Sequence, residues 1–366
     1  MGEATRLFDF CQAGSIDPRG GRFELDDRGE PLPTGWPPAP EPTRNHFTTT
    51  RLICCFAVGH LMGRPGAARI VDHGVEFMLN GHRDQEHGGC HWATGHNGST
   101  NGARVAHGHA FALLAAASAK AVGHPDWTPV ESYRGQNSNM HLTEALMAAH
   151  EVTGDGEYLR KAERIAALLI EKITANNNRR LPEHFRSDWS IDFDYDRDVF
   201  RPFGSTIGHW LEWFRLLLQL WVTCHSRHDW MKDAAQTMFR QATEEGWADN
   251  GGGFHFTVGW DGSPMDRDRH WWPCTEGIGA ACWLGEHVGR DFHELWYRRV
   301  WDWCETHLMD RELGSWHHQL NDDLVTVTDP WFGKPDLYHS LQATLIPLLP
   351  ATGSIIHGLK TGGIRI

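Results

Sequence analysis

The stretch Gly204-Ser-Thr-Ile-Gly-His-Trp-Leu-Glu-Trp-Phe-Arg215, continuing into Leu216-Leu-Leu-Gln-Leu220, carries the grammar of the whole chain. Glycines deliver the backbone into a strongly apolar run, which predicts a buried helix. His209 and Glu212 stand three residues apart, hence on one face, where that helix begins. Alone, such a pair is as ordinary as a capped or core histidine beside a solvated carboxylate. Its glycines would let a substrate come close to the backbone. Glu212, one turn on, would either orient His209 or accept from a hydroxyl.

The same alternation of glycine-rich hairpin and apolar helix returns along the chain. Short hairpins are predicted over Pro18 to Glu30, Gly88 to Gly98, Gly251 to Gly262 and Gly314 to Asp323, with a degenerate one over Leu181 to Trp189. Their starts lie roughly 60 to 90 residues apart, room for two helices and a hairpin, which marks an internal repeat. Apolar residues at three and four spacing predict helices over Phe47 to Met62, Arg69 to Leu79, Arg104 to Val122, Asn139 to Thr153 and Glu157 to Ile173. Further helices are predicted over His209 to Thr223, Asp229 to Gly246, Trp272 to Val288, Phe292 to Leu308 and Tyr338 to Leu349. Taken in pairs, they predict an all-α fold, an (α/α)6 barrel: a toroid of helical hairpins with short β-hairpins in the connecting loops. Residues 1–366 would form a single catalytic domain. An open α-solenoid would show more uniform repeats and no aromatic-rich hairpins.

Composition narrows the partners. With 40% apolar residues in 366, the chain can bury a large core, and no segment reads as a linker. Its 34 basic and 47 acidic residues leave a net charge of -13 with no basic block, which argues against nucleic acid and anionic membranes. A small neutral or polar substrate fits better. No apolar run reaches the eighteen or so residues that span a bilayer, and Met1 to Arg6 lacks a signal-peptide core, so a cytoplasmic protein is expected. The eight cysteines show no CxxC pair and read as reduced thiols. The 18 tryptophans and 25 histidines are unusual: indole faces stack on sugar rings, although most must simply fill the core.

Chemistry-bearing residues fall at the predicted starts of inner helices. Arg51 follows Thr48-Thr-Thr50, and a guanidinium there can stabilise a developing oxyanion. His107 and His109 form a His-x-His, two potential metal ligands with no nearby carboxylate in sequence to complete a site. Asn137 and His141 lie four apart on one face, with Asn139 placed to cap their helix. Trp272 and Glu276 put a stacking face beside a carboxylate, and His339 begins the last helix. Starts near residues 51, 107, 141, 209, 272 and 339 thus each bring one such constellation. No serine or cysteine sits in a nucleophile elbow, and histidines outnumber the carboxylates that a glycosidase needs.

Four motifs carry a resemblance: His107-Gly-His-Ala-Phe-Ala-Leu-Leu-Ala115, Asn139-Met-His-Leu-Thr-Glu-Ala145, Pro202-Phe-Gly-Ser-Thr-Ile-Gly-His-Trp-Leu-Glu-Trp213 and Gly333-Lys-Pro-Asp-Leu-Tyr-His-Ser-Leu-Gln-Ala343. From about residue 20 to about 345 the chain resembles the N-acylglucosamine 2-epimerase superfamily, nearest its aldose-ketose isomerase branch of D-mannose and sulfoquinovose isomerases. The resemblance implies an (α/α)6 barrel acting without metal or organic cofactor. It implies acid-base work by His209 and His339, with Arg51, His107, Asn137, His141, Glu212, Trp272 and Glu276 around the sugar. D-mannose to D-fructose isomerisation is the expected activity, with D-lyxose to D-xylulose beside it. A sulfoquinovose isomerase, a sugar 2-epimerase and, from another class, a noncatalytic carbohydrate-binding protein remain the alternatives. His107 stands where the family commonly has Tyr, which alters the contact made there. The partner is a small sugar, and the oligomeric state, a homo-oligomer included, stays open.

Overall fold

The computed structural model describes residues 2–32, 43–95, 98–119, 133–196, 201–328, 332–334 and 336–362. It is mostly helical: α1 (Gly2–Gly14), α2 (His46–Leu61), α3 (Ala67–Phe77), α4 (Ala106–Ala119), α5 (Gln136–Thr153), α6 (Gly156–Ala166), α7 (Ile207–Thr223), α8 (Asp229–Glu245), α9 (Trp271–His287), α10 (Arg290–His307), α11 (Tyr338–Leu345) and α12 (Ile355–Thr361). Met78–His82 and Ala167–Ile173 extend α3 and α6 as π-helical turns. All ten predicted helices are present to within a few residues. Positions 120–122 of the third prediction and 96–97 of the second hairpin lie outside the described residues.

Two helices escape the sequence reading. α1 buries Ala4, Leu7, Phe8 and Cys11, an i, i+3, i+4, i+7 stripe laid on α11. α12 is a single short stretch capped by Ser354, whose Oγ accepts from the His357 N–H. α12, at seven residues, is too short to show a sustained period, whereas α1 carries its stripe and was passed over.

Helix composition decides position. α7 is buried without a break from Ile207 to Leu220, whereas α10 buries only His293, Trp296, Val300, Trp303 and Cys304 along one stripe. An all-round apolar helix lies inside and an amphipathic one outside. Accordingly α2 packs on α4, α4 on α5, α5 on α7, α7 on α9, α9 on α11, and α11 back on α2. Around them α3 backs α2, α6 backs α5, α8 backs α7 and α10 backs α9. Among the described residues no second helix backs α4, and residues 120–132 lie outside that set.

Four of the six central helices, α2, α5, α7 and α9, are entered the same way. Two-residue strands at Arg44–Asn45, Arg134–Gly135, Ser205–Thr206 and Arg269–His270 pair antiparallel with Ala93–Thr94, His184–Phe185, Thr257–Val258 and Gln319–Leu320. The next N–H, the first of the helix, then donates to a hairpin carbonyl: His46 to Trp92 (2.9 Å), Gln136 to Glu183 (3.0 Å), Ile207 to Phe256 (3.2 Å) and Trp271 to His318 (3.1 Å). These helices carry no side-chain N-cap bond, and the hairpins take over part of the capping duty. The repeat thereby fixes the first turns of the central helices against the loops at one end. Asn139 is correspondingly not a cap: the helix starts earlier, and its Nδ2 donates back to the Gly135 carbonyl at 2.7 Å.

One apolar cluster runs from Ala4 to Leu349. Trp210, Trp213 and Trp316 are wholly buried in it, Trp271, Trp283, Trp296 and Trp303 nearly so, and Trp189, Trp221, Trp230, Trp247, Trp272 and Trp301 pack partly buried against it, so most of the 18 tryptophans serve the core. All eight cysteines are free thiols. No helix among the described residues is long and apolar enough to cross a membrane.

Candidate active site

The first turns of the central helices bring the sequence-predicted residues together. The Trp272 ring lies against both His209 and His339, its centroid 5.0 Å from that of His209 and 5.8 Å from that of His339. Gly208 makes this possible, because a Cβ there would sit 2.2 Å from Trp272 Cζ3. Gly204 adopts φ +91 where a Cβ would strike the Val258 carbonyl at 2.5 Å. Both glycines therefore serve the packing of the turn and the indole.

His339 Nδ1 bonds Glu276 Oε1 at 2.9 Å, and Glu276 Oε2 accepts from Arg215 Nε at 3.0 Å. Arg51 lies 3.5 Å from His339 Nε2 through a guanidinium nitrogen that can only donate, so the tautomer with hydrogen on Nδ1 fits both contacts. Asp336 organises this corner. Its Oδ1 accepts from Arg51 at 3.1 Å, and its Oδ2 accepts from Trp271 Nε1 at 3.0 Å and from the His339 N–H at 3.2 Å. The guanidinium also lies over Phe111 and Tyr338, 4.6 and 5.2 Å from their centroids. Burial works against the Asp336 charge, but His339 and Arg51 outweigh it and hold the carboxyl below its ordinary range.

The other histidine has a different partner from the one expected. Glu212 makes no hydrogen bond to His209. The orienting carboxylate is Glu183, whose Oε2 lies 2.8 Å from His209 Nδ1. Glu183 comes from the degenerate hairpin at Leu181 to Trp189, and sequence reasoning missed it. Its neighbours fix its state: Thr206 N–H donates to Oε1 at 3.0 Å and Gln136 Nε2 to Oε2 at 2.9 Å. Burial opposes its charge, yet His209 beside it, with His184 and Gln136, keeps the carboxyl below its usual range.

Beneath the histidines lies a buried carboxylate cluster. Glu212 stands 3.6 Å from His141 and 3.7 Å from Arg215, and neither of its oxygens, both buried, has a hydrogen-bond partner. Glu144 accepts from Tyr338 Oη at 2.6 Å and lies 3.4 Å from His141. Burial first, then the charges of Glu276 and Glu144, push the Glu212 carboxyl well above its ordinary value. Glu276 goes the other way: burial raises it, but Arg215 and His339 outweigh burial and leave it lowered. His107 and His141, ring centroids 5.0 Å apart, are both held well below the usual histidine range, burial being the largest cause. Asn137, one turn before His141, keeps its Oδ1 buried and unpartnered. With Glu212, it offers polar atoms still in want of a partner.

Among the described residues neither His107 nor His109 joins a group that could hold a metal ion, and the groups that could lie elsewhere. His141, Glu144 and Glu212 form one group, and Glu212, Glu276 and His339 another, whose ligand atoms lie within 4.8 Å of one another. A cation there would compete with the Arg215 guanidinium, which already meets Glu276 and Glu212.

The sequence pattern of the N-acylglucosamine 2-epimerase (GlcNAc 2-epimerase) family matches residues 20–129 and 124–343. The chain belongs to this family. Within it, a D-mannose isomerase of Thermobifida fusca is 38% identical over 399 aligned positions, covering 99% of this chain and 96% of the relative. A D-mannose isomerase of Pseudomonas cannabina pv. alisalensis is 37% identical, covering 96% of this chain and 92% of its own. Among solved structures, a D-mannose isomerase superposes with a TM-score of 0.86 at 27% identity, over 95% of this chain and 96% of that one. A cellobiose 2-epimerase from Spirochaeta thermophila DSM 6192 shares the fold, with a TM-score of 0.75 at 17% identity over 98% and 96%. The family match covers nearly the span on which the sequence motifs rested.

Proposed function

We propose that the chain is a cofactor-independent aldose-ketose isomerase that converts D-mannose to D-fructose, and D-lyxose to D-xylulose as a second reaction. The whole chain acts as one catalytic domain, its six central helices forming the inner ring of an (α/α)6 barrel. One observation carries the reading: two histidines pack on a partly exposed indole, and each has its Nδ1 engaged by a buried carboxylate. That leaves each Nε2 to exchange protons with a sugar stacked on Trp272. A binding protein needs the indole but has no use for two such dyads. Relatives 37 and 38% identical over nearly their full length bear the name D-mannose isomerase, which selects the sugar.

The chemistry follows from the groups present. The bare His339 Nε2 takes the anomeric hydroxyl's proton and hands it to the ring oxygen as the bond from C1 to that oxygen breaks and the O1 electron pair forms the carbonyl, so the pyranose opens to the aldehyde. His209 then takes the C2 proton. The C2–H electron pair becomes the C1=C2 double bond and the carbonyl pair moves to O1, giving a cis-enediolate. The imidazolium returns its proton to C1, the O2 hydrogen passes to O1, and the ketose results with no external reductant. Imidazole suits both tasks because its ordinary pKa lies near neutrality. Arg51 stabilises the enediolate oxygen, a contact that strengthens as charge develops. His107, Asn137, His141, Glu212 and Glu276 hold hydroxyls. The neutral acid Glu212 can donate as well as accept.

The test is incubation with D-mannose in heavy water, following ketose and deuterium at C1 and C2. Fructose formation with deuterium confined to those carbons supports the reading. No turnover of mannose or lyxose by folded protein overturns it, and deuterium at C2 of a recovered epimer without ketose points to a 2-epimerase. His209→Asn should lose isomerisation by orders of magnitude while keeping its fold.

A further inference from the structure

We propose that Glu183 is the positioning residue that makes His209 the base for the C2 proton, by fixing its tautomer and by supplying the counter-charge for the imidazolium as it forms. The inference deepens the isomerase reading and rests on it.

The geometry leaves little freedom. Trp213 Nε1, which can only donate, bonds Gln136 Oε1 at 2.6 Å, so the amide must turn its Nε2 toward Glu183. The Thr206 N–H, also an obligate donor, occupies the other carboxylate oxygen. Glu183 is thus an acceptor on both oxygens, and His209 Nδ1 at 2.8 Å must carry the hydrogen. Nε2 is then the lone pair left for the substrate.

The two dyads differ in charge. Glu276 shares its negative charge between His339 and the Arg215 guanidinium at 3.0 Å. Among the described residues no arginine or lysine lies within ion-pair distance of Glu183, whose one such partner is His209. A buried carboxylate offset by no fixed cation stabilises a proton arriving on the neighbouring ring more than one already neutralised. Arg51, moreover, sets a positive charge 3.5 Å from His339 Nε2. The dyads are therefore suited to different steps: His209 to hold the abstracted proton, His339 to hand one over.

The repeat isolates the choice of side chain. Trp92, Glu183, Phe256 and His318 hold equivalent posts, since each offers the carbonyl that caps a central helix. Three of these are rings packed on neighbouring aromatics: Trp92 stacks on Phe47 at 5.4 Å, Phe256 meets Trp272 at 6.1 Å, and His318 stacks on Trp271 at 3.9 Å. Only the hairpin facing His209 replaces the ring with an acid. The backbone duty does not require a carboxylate, so the side chain serves the histidine.

Glu183→Gln keeps the size and a hydrogen-bonding oxygen but removes the charge. The expected result is a kcat for mannose lower by about 10²-fold with KM changed less than about threefold. The primary isotope effect with [2-²H]mannose should grow, and enzyme-catalysed anomer interconversion, which reports ring opening, should persist. An unchanged kcat, a loss confined to KM, or a slower reaction with an unchanged isotope effect overturns the proposal. Should the variant not fold, ¹⁵N-histidine NMR of the native protein decides, with the His209 signals assigned by their loss in His209→Asn. A neutral ring protonated on Nδ1 supports the proposal, and one protonated on Nε2 overturns it. That measurement needs no turnover, so it stands apart from any failure of the sugar assignment.

Discussion

Replacing Gly208 by alanine should damage activity far more than stability. The new Cβ would lie 2.2, 2.6 and 2.7 Å from Cζ3, Cη2 and Cε3 of Trp272. Restoring an ordinary contact of 3.4 Å requires the indole to retreat by about 1.2 Å. It moves against close neighbours, since both His209 and His339 pack on it. Misplacing a substrate-positioning group by about 1 Å costs about 10²-fold in rate, close to 2.7 kcal/mol of transition-state stabilisation. Stability suffers less. Overpacking costs about 1–3 kcal/mol, while alanine in a helix recovers up to about 1 kcal/mol over glycine. The assay pairs kcat and KM for mannose with a urea unfolding curve. A second arm compares Trp272→Ala with and without Gly208→Ala: once the indole is gone, so are the three nearest atoms that the methyl would strike, and the double variant should match the single one. A folded Gly208→Ala enzyme with native kcat/KM would refute the reasoning, as would additive losses in the double variant.

Acid should unfold the protein through its buried histidines. Burial pushes His82, His270 and His318 down to about 3. Unfolded histidine titrates near 6.5, so between those values the unfolded chain binds protons that the native one refuses, and stability is full above about pH 6.5 and falls toward pH 3 by about 1.4 kcal/mol per unit per group. His318→Phe, which keeps the stack on Trp271, should lessen that slope by about 1.4 kcal/mol per unit in urea titrations, and an unchanged slope would count against it. Arg215→Met should cost about 3–5 kcal/mol, because it strands the buried Glu276 charge, whereas Glu212→Gln, replacing an acid already held neutral, should change stability by less than about 1 kcal/mol. Equal losses in those two variants would contradict the assigned protonation. Asp336→Asn should lower kcat about tenfold or more by loosening Arg51, and a native kcat would show that the guanidinium is held by its aromatic neighbours alone.

The helical repeat was legible because it rests on periodicity, which survives without coordinates. Apolar spacing placed ten helices, and the glycine-rich stretches placed the hairpins between them. α12 escaped because seven residues show no sustained period, and α1 was passed over despite its apolar stripe. The order of packing around the ring, and the absence of a described partner behind α4, depend on which faces meet, and spacing alone does not carry that. His209, Trp272, Glu276, His339 and Arg51 were legible for one shared reason: each stands in the first turns of a central helix, where a polar residue interrupts an apolar run.

Glu183 lacked that signature. It sits on a hairpin, in a stretch that reads as a poor copy of its siblings, and its charge looks like ordinary loop polarity. The signal was comparative: set the four capping posts side by side, and an acid stands where the others carry rings. The proton inventory was harder still. Among the described residues Glu212 and Glu276 meet one fixed cation, Arg215, which Glu144 feels at a distance, while burial holds the neighbouring His141 well below the usual histidine range. Three full negative charges so placed would repel one another with too little compensation, and the least hydrogen-bonded of them, Glu212, is the one that yields and keeps its proton. An acid and a carboxylate thus arise from two glutamates that the sequence cannot tell apart. The neutral one is free to donate to a sugar hydroxyl, and the charged one is committed to His339.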